Sequence, residues 1–264
     1  MSSPAATIER VGLRAGFAHS MIIARRNLLH IKSDPEQLVG MTVQPLMFLM
    51  LFVFVLGGAI AGSSQQYLQF ALPGIMVQGI AFTGFQTALG INNDFNRGLI
   101  DRFRSLPISR SAVVGGRILA DAVRVMWGTL IITGFGLLLG FRFHAGLAAA
   151  VASLLLVIAF GITVCWPMAL IGSVAHSPEA VNTWGFLIIL PLTFASSVFA
   201  PPQSMPGWLQ AFVKVNPITF VVDATRGMML GGPVASPLLK AILWMIGLTA
   251  VFAPLAVDRY RKRI

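Results

Sequence analysis

The chain has 264 residues, of which 56% are apolar and 11% charged, with a formal net charge of +10 and a mean hydropathy of +0.81. Soluble domains average about 25% charged residues, so a surface mostly in water is excluded. Nucleic-acid binding is excluded as well: the basic residues flank apolar stretches, where anionic lipid headgroups lie, and no nucleic-acid-binding motif accompanies them.

Residues 8–29 predict an amphipathic helix. At roughly 100° per residue, Val11, Ala15, Ala18, Ile22 and Leu29 share a stripe, with Arg10, Arg14 and Arg25 beside it. Such an arm, residues 1–33, fits the cytoplasmic headgroup layer with its arginines toward water, or packs on other cytoplasmic parts. It holds no uninterrupted apolar core, so no cleavable signal peptide is expected.

Six apolar stretches follow, at about 38–59, 70–91, 118–141, 146–172, 180–199 and 237–257. Each reaches the roughly 20 residues that cross about 30 Å of hydrocarbon. They predict an all-α membrane protein with one six-span domain over 34–257 and a basic tail at 258–264. Asp34, Pro35 and Gln37 mark the start of span 1, as Ser177-Pro178-Glu179 and Ser236-Pro237 mark spans 5 and 6.

Between spans 2 and 3, Phe95, Leu99, Phe103 and Leu106 recur at helical spacing, with Arg97, Asp101 and Arg104 on the other side and Pro107 ending the run. A short helix there must bury its two phenylalanines, either on the membrane surface or in another protein. Asp121 and Arg124 fall near the cytoplasmic start of span 3, within reach of the interface and of each other, in a structural role. Gly136 and Gly140 form a small-xxx-small pair that permits close helix approach. Cys165, the single cysteine, lies inside span 4 as packing.

The stretch 200–236 breaks the simple pattern. Span 5 stops at Ala200, before Pro201-Pro202. A short helix can start at Pro206 and run through Trp208 and Phe212 to Lys214, and Asn216-Pro217 caps another that ends at Gly231-Gly232. The second is about 21 Å long, too short to cross. It carries Asp223 and Arg226 three residues apart, where they can pair. The two pieces form either a re-entrant hairpin lining a pathway or an exposed cap.

Fifteen lysines and arginines lie in the arm, in the segment after span 2 as far as Arg124, and in the tail, against Arg142, Lys214, Arg226 and Lys240 on the other side. The positive-inside rule puts both termini in the cytoplasm, as an even number of spans requires. Expected chemistry is sparse. No Gly-x-x-x-x-Gly-Lys-Ser/Thr phosphate loop occurs. His19, His30, His144 and His176 are scattered, without zinc-helix spacing, so no metal site is expected. None of the nine acidic residues falls mid-span, where proton relays place theirs. An ATP-independent secondary transporter or channel therefore lacks its expected parts, and a membrane scaffolding subunit is the other rival.

These residues resemble a family. The runs Arg97-Gly98 through Arg102, Leu106-Pro107, Arg110, Gly116-Arg117, Asp121 and Arg124, and then Met205-Pro206-Gly207-Trp208-Leu209, Asn216-Pro217 and Asp223-x-x-Arg226, resemble the membrane subunits of type 2 ABC exporters, in the daunorubicin-resistance branch of multidrug and lipid efflux permeases. The resemblance implies that the segment carrying Phe95, Arg97, Leu99, Asp101, Arg102, Phe103, Arg104, Leu106 and Pro107 is a coupling helix seated in a separate ATPase. It implies that Pro202, Pro206, Trp208, Asn216, Pro217, Asp223 and Arg226 belong to external re-entrant helices. It further implies two ATPase copies, a second permease that is identical or paralogous, ATP and magnesium bound only by the partner, and export of a hydrophobic drug or lipid across the plasma membrane. Export of polysaccharide or another lipid-linked substrate is the sister option.

Overall fold

The computed structural model describes residues 35–96 and 110–263. All regular structure among the described residues is helical. Helix α1 (Pro35–Met50) runs directly into a π-helical turn, Leu51–Leu56, and then into α2 (Gly57–Ala61). After a turn at Gly62 come α3 (Ser64–Asn96), α4 (Arg110–Leu138), α5 (Gly146–Val174) and α6 (Pro178–Phe194). A 3-10 turn, Pro202–Ser204, precedes α7 (Gly207–Val213), α8 (Pro217–Leu230) and α9 (Ala235–Arg263).

Among the described residues, four helices are long and apolar enough to cross a membrane: α3, α4, α5 and α9. The apolar part of the α1 run, Thr42–Val55, is shorter, and the 17 residues of α6 reach about 26 Å at 1.5 Å per residue. Boundaries also move from their expected places. Helix α3 continues past 91 to Asn96, so Asn93, Asp94 and Phe95 complete a long helix instead of opening a short one. Helix α6 stops at Phe194, not at Ala200, and 195–201 is non-helical. Helix α9 carries the basic tail on to Arg263 as helix. The expected cap residue Asp34 lies outside the described residues, whereas the Ser177 hydroxyl does accept from Ala180 N–H, at 3.2 Å.

Helix α3 is the hub. It packs against α5 most extensively, and also against α1, α4, α6 and α8. Tyr67, Leu68, Leu72, Met76 and Ile80 are completely buried along it. A helix that is apolar all round belongs inside a bundle, whereas α9 shows lipid an apolar outer face (Leu239, Leu243, Ile246, Val251). Lipid tails are as apolar as leucine, so dispersion and interhelical hydrogen bonds hold these helices together, and close approach is decisive. Glycines provide it on α5 and α6. A Cβ at Gly172 would stand 2.3 Å from the Ala88 carbonyl oxygen, and one at Gly185 only 2.1 Å from the Phe85 ring. The expected Gly136/Gly140 pair does not form such an interface. Gly136 seats Leu72, but Gly140 sits beyond the end of α4 at φ +100°, where its carbonyl accepts from Gln65 and Gln69.

Candidate functional site

The non-helical strap 195–201 poses a physical problem. Ser196, Ser197 and Val198 have no exposed surface, and a buried backbone carbonyl without a partner is costly away from water. Three side chains from two helices solve it. Asn216, 2% exposed at the N-cap of α8, donates its amide to the Leu192 and Ala195 carbonyls, both at 2.7 Å. Its Oδ1 meanwhile accepts from Ile218 N–H at 2.9 Å. Arg226 donates to the Ser197 carbonyl at 2.8 Å, and the Tyr67 hydroxyl donates to that of Phe199 at 2.9 Å. Helix α6 ends where it does because its final carbonyls are held by Asn216. The strap fits because Gly74 on α3 lacks a side chain: a Cβ there would lie 2.5 Å from the Val198 oxygen.

Arg226 is the knot of this end of the bundle. Its guanidinium pairs with Asp223 at 3.2 Å, donates through Nε to the Phe70 carbonyl at 3.1 Å, and lies over the Phe70 ring, 4.0 Å from its centre. Asp223 accepts a second bond from the Ser197 hydroxyl at 2.7 Å. One charged pair thus ties α8, α3 and the strap. The Asp223 carboxylate stays partly open, its side chain 37% exposed, beside a cleft of about 370 Å³ between the end of α8 and the start of α9, bordered by Leu230, Pro233 and Pro237. Aromatic rings extend the strap toward α1 and α6: Phe199 stacks on Phe52 at 4.2 Å and on Phe194 at 5.1 Å.

The expected external residues therefore divide. Asn216, Pro217, Asp223 and Arg226 lie in or at the start of α8, whose Ile218, Val221, Val222 and Met229 are buried in the bundle. Gly231 closes α8 at φ +82°, as its position predicts. Pro202, in the 3-10 turn, and Pro206 and Trp208, at the start of α7, stand at the rim, with Trp208 75% exposed. Helix α7 is thus a surface cap and α8 an embedded element. Tyr67, Phe70 and Ser197 escaped the sequence reading. Only Tyr67 carried a signal, as a hydroxyl at the head of an apolar run.

At the other end, Phe95 sits in the last turn of α3, packed against a small apolar cluster that contains Ile91, Ile118, Cys165, Ala169 and Ala256. It thereby closes the bundle's own end. Arg97, Leu99, Asp101, Arg102, Phe103, Arg104, Leu106 and Pro107 lie outside the described residues. Nearby, Asn92 donates to the Ala175 carbonyl at 2.7 Å and so satisfies the end of α5. Asp121 is completely buried, and it meets Arg124 as their spacing predicts. It accepts from the Thr87 hydroxyl at 2.6 Å and pairs with Arg124, itself 7% exposed. Cys165 is fully buried, as expected of a packing residue. Among the described residues no cluster of histidine, cysteine and carboxylate could hold a metal ion.

Comparison with known proteins places this arrangement. The profile of the ABC-2 type transporter family matches residues 19–230. The chain is 38% identical over 238 residues to the daunorubicin resistance ABC transporter permease protein DrrB1 of Streptomyces coeruleorubidus, covering 90% of this chain and 84% of that one. It is 30% identical over 249 residues to the probable doxorubicin resistance ABC transporter permease protein DrrC of Mycobacterium tuberculosis, covering 93% and 89% respectively. A putative transport permease of Cyanophora paradoxa, ycf38, is 28% identical over 211 residues, covering 78% and 72%.

Proposed function

We propose that this chain, which belongs to the ABC-2 type transporter family as a multi-pass membrane permease and not as an ATPase, exports hydrophobic or amphipathic drugs, or lipids, using work done by a separate ATPase subunit. The observation that carries the drug reading is the likeness to a daunorubicin resistance permease along nine-tenths of the chain. Six spans complete the architecture: α1 with its π turn and α2 forms the first, and α6 with the strap forms the fifth. Both termini face the cytoplasm of a plasma-membrane protein, consistent with the distribution of lysine and arginine. Helices α7 and α8 then occupy the outer side as cap and re-entrant element. Two permeases, identical or paralogous, and two ATPases make the working unit.

Transport proceeds by alternating access. ATP binding draws the ATPases together, and the segment 97–107 carries that movement into α3 and α4. A change of state reaches the membrane only if these contacts differ between the two states. The substrate sits between permease copies against apolar and aromatic walls. The exposed apolar face of α1, its π turn and α6, including Met47, Phe54, Trp184, Phe186 and Leu187, suits tolerant contact better than a strict polar code. The test is reconstitution of the permease with its ATPase in lipid vesicles. Daunorubicin should stimulate ATP hydrolysis and be moved only when ATP is present. Transport by the permease alone, or hydrolysis indifferent to a panel of drugs and lipids, would refute the reading.

A further inference from the structure

Helices α3 and α4 are the two arms joined by the segment 97–109, and a second set of polar contacts binds them just above that joint. Arg117 of α4 reaches across to α3, donating to the Asp94 carboxylate at 2.9 Å and to the Gln86 carbonyl at 3.4 Å. The guanidinium lies along the ridge Gln86, Gly90, Asp94, spaced by four residues on one face of α3. Gly90 is its seat: a Cβ there would stand 1.4 Å from one terminal nitrogen of Arg117 and 2.2 Å from its central carbon. One turn further along α4, Thr87 of α3 donates to Asp121, which is held by Arg124. The Arg117 and Asp94 side chains are only 13% and 21% exposed, which shields the pair from the screening that weakens surface ion pairs.

We propose that Asp94 and Arg117, seated on Gly90, form a clamp that makes α3 and α4 a single lever, so that movement imposed on the 97–109 joint is transmitted to the membrane instead of being absorbed by splaying of the two helices. The inference rests on the exporter reading above and adds positioning residues to it. Among the described residues, the charge pairs with little exposure lie on α3, α4 and the α8 knot, and those on the 97–109 side cross or brace the α3–α4 contact. The Asp121–Arg124–Thr87 group is the second rung. The glycine makes the device separable from bulk stability. Alanine at position 90 conflicts with the flexible far end of a side chain, not with backbone, so the guanidinium is displaced while both charges and both helices remain.

The experiment uses the full permease co-purified with its ATPase in lipid vesicles, with daunorubicin as probe, and reads drug transported per ATP hydrolysed. Gly90→Ala, Arg117→Gln and Asp94→Asn should each lower that ratio at least tenfold while the ATPase still co-purifies. The double variant Asp94→Asn/Arg117→Gln should be no worse than either single change, because both remove one contact. Arg117→Lys should recover part of the ratio. Full coupling in Gly90→Ala and Arg117→Gln would overturn the clamp. Loss of the ATPase from those complexes would overturn it too, by assigning the pair to assembly. A natural-sequence complex whose hydrolysis is indifferent to daunorubicin and to the whole panel of drugs and lipids would instead bring down the exporter reading, and the clamp with it.

Discussion

Asn216 permits the sharpest test of how the strap is held. Replacement by alanine removes the N-cap acceptor of Ile218 N–H, a loss of about 1 kcal/mol. It also removes the donors to the Leu192 and Ala195 carbonyls, each at 2.7 Å. Leaving a buried acceptor unpaired costs roughly 1–3 kcal/mol in water-soluble proteins. Interhelical hydrogen bonds in membranes average only about 0.6 kcal/mol, because the unfolded chain in lipid finds other partners. Near 1 kcal/mol per carbonyl, the total is about 3 kcal/mol. For a chain of this size that lowers the midpoint of thermal unfolding by roughly 6–12 °C. Serine at 216 keeps a capping oxygen and loses only the amide donors, so it should fall about two-thirds as far. Aspartate keeps the cap but turns a negative charge toward two carbonyls at a site 2% exposed, and should be the worst of the three. The assay is thermal unfolding of the detergent-solubilised protein followed by size-exclusion chromatography. A midpoint for Asn216→Ser indistinguishable from that of the natural sequence would refute the claim that this amide terminates α6, and equal midpoints for Asn216→Ala and Asn216→Ser would remove the share assigned to the cap.

Other perturbations probe other parts of the argument. Asp121→Ala leaves Arg124 charged in a buried site and should cost roughly 3–5 kcal/mol, whereas replacing both together (Asp121→Leu/Arg124→Met) should recover most of that loss; a double variant no more stable than the single one would show that the pair is not the unit. Leu99→Asp or Phe103→Asp should abolish co-purification with the ATPase while membrane insertion, followed by fractionation, is unchanged; normal drug transport by either would remove the docking assignment. A cysteine at Gln203, in the exposed turn before α7, should react with an impermeant thiol reagent added to intact cells. Labelling that needs lysis would invert the proposed orientation.

Features whose partners lie a few residues away were readable without coordinates. Asn216-Pro217 and Ser177-Pro178 marked helix starts because a cap satisfies N–H groups two or three residues on, and Gly231 marked an end because its backbone takes positive φ. Asp223 and Arg226 were paired correctly from their spacing alone. The sequence could not reveal that the Asn216 amide would reach back more than twenty residues to stop α6, nor that Phe95 would finish a long helix, since a run of asparagine and aspartate after an apolar stretch reads as its end.

What the sequence determined by itself was the solvent, the helical class, the family and the boundaries at Ser177, Asn216 and Gly231, because hydropathy and capping are set by neighbours along the chain; the last helix starts at Ala235, ahead of the expected Ser236-Pro237 signal. Only the tertiary structure decided where α6 breaks, which carbonyls Arg226 and Tyr67 satisfy, and that Arg117 crosses to Asp94 over Gly90. The physical reason is that inside lipid a polar group finds its partner wherever another helix presents one, and that meeting is a property of packing, not of sequence order.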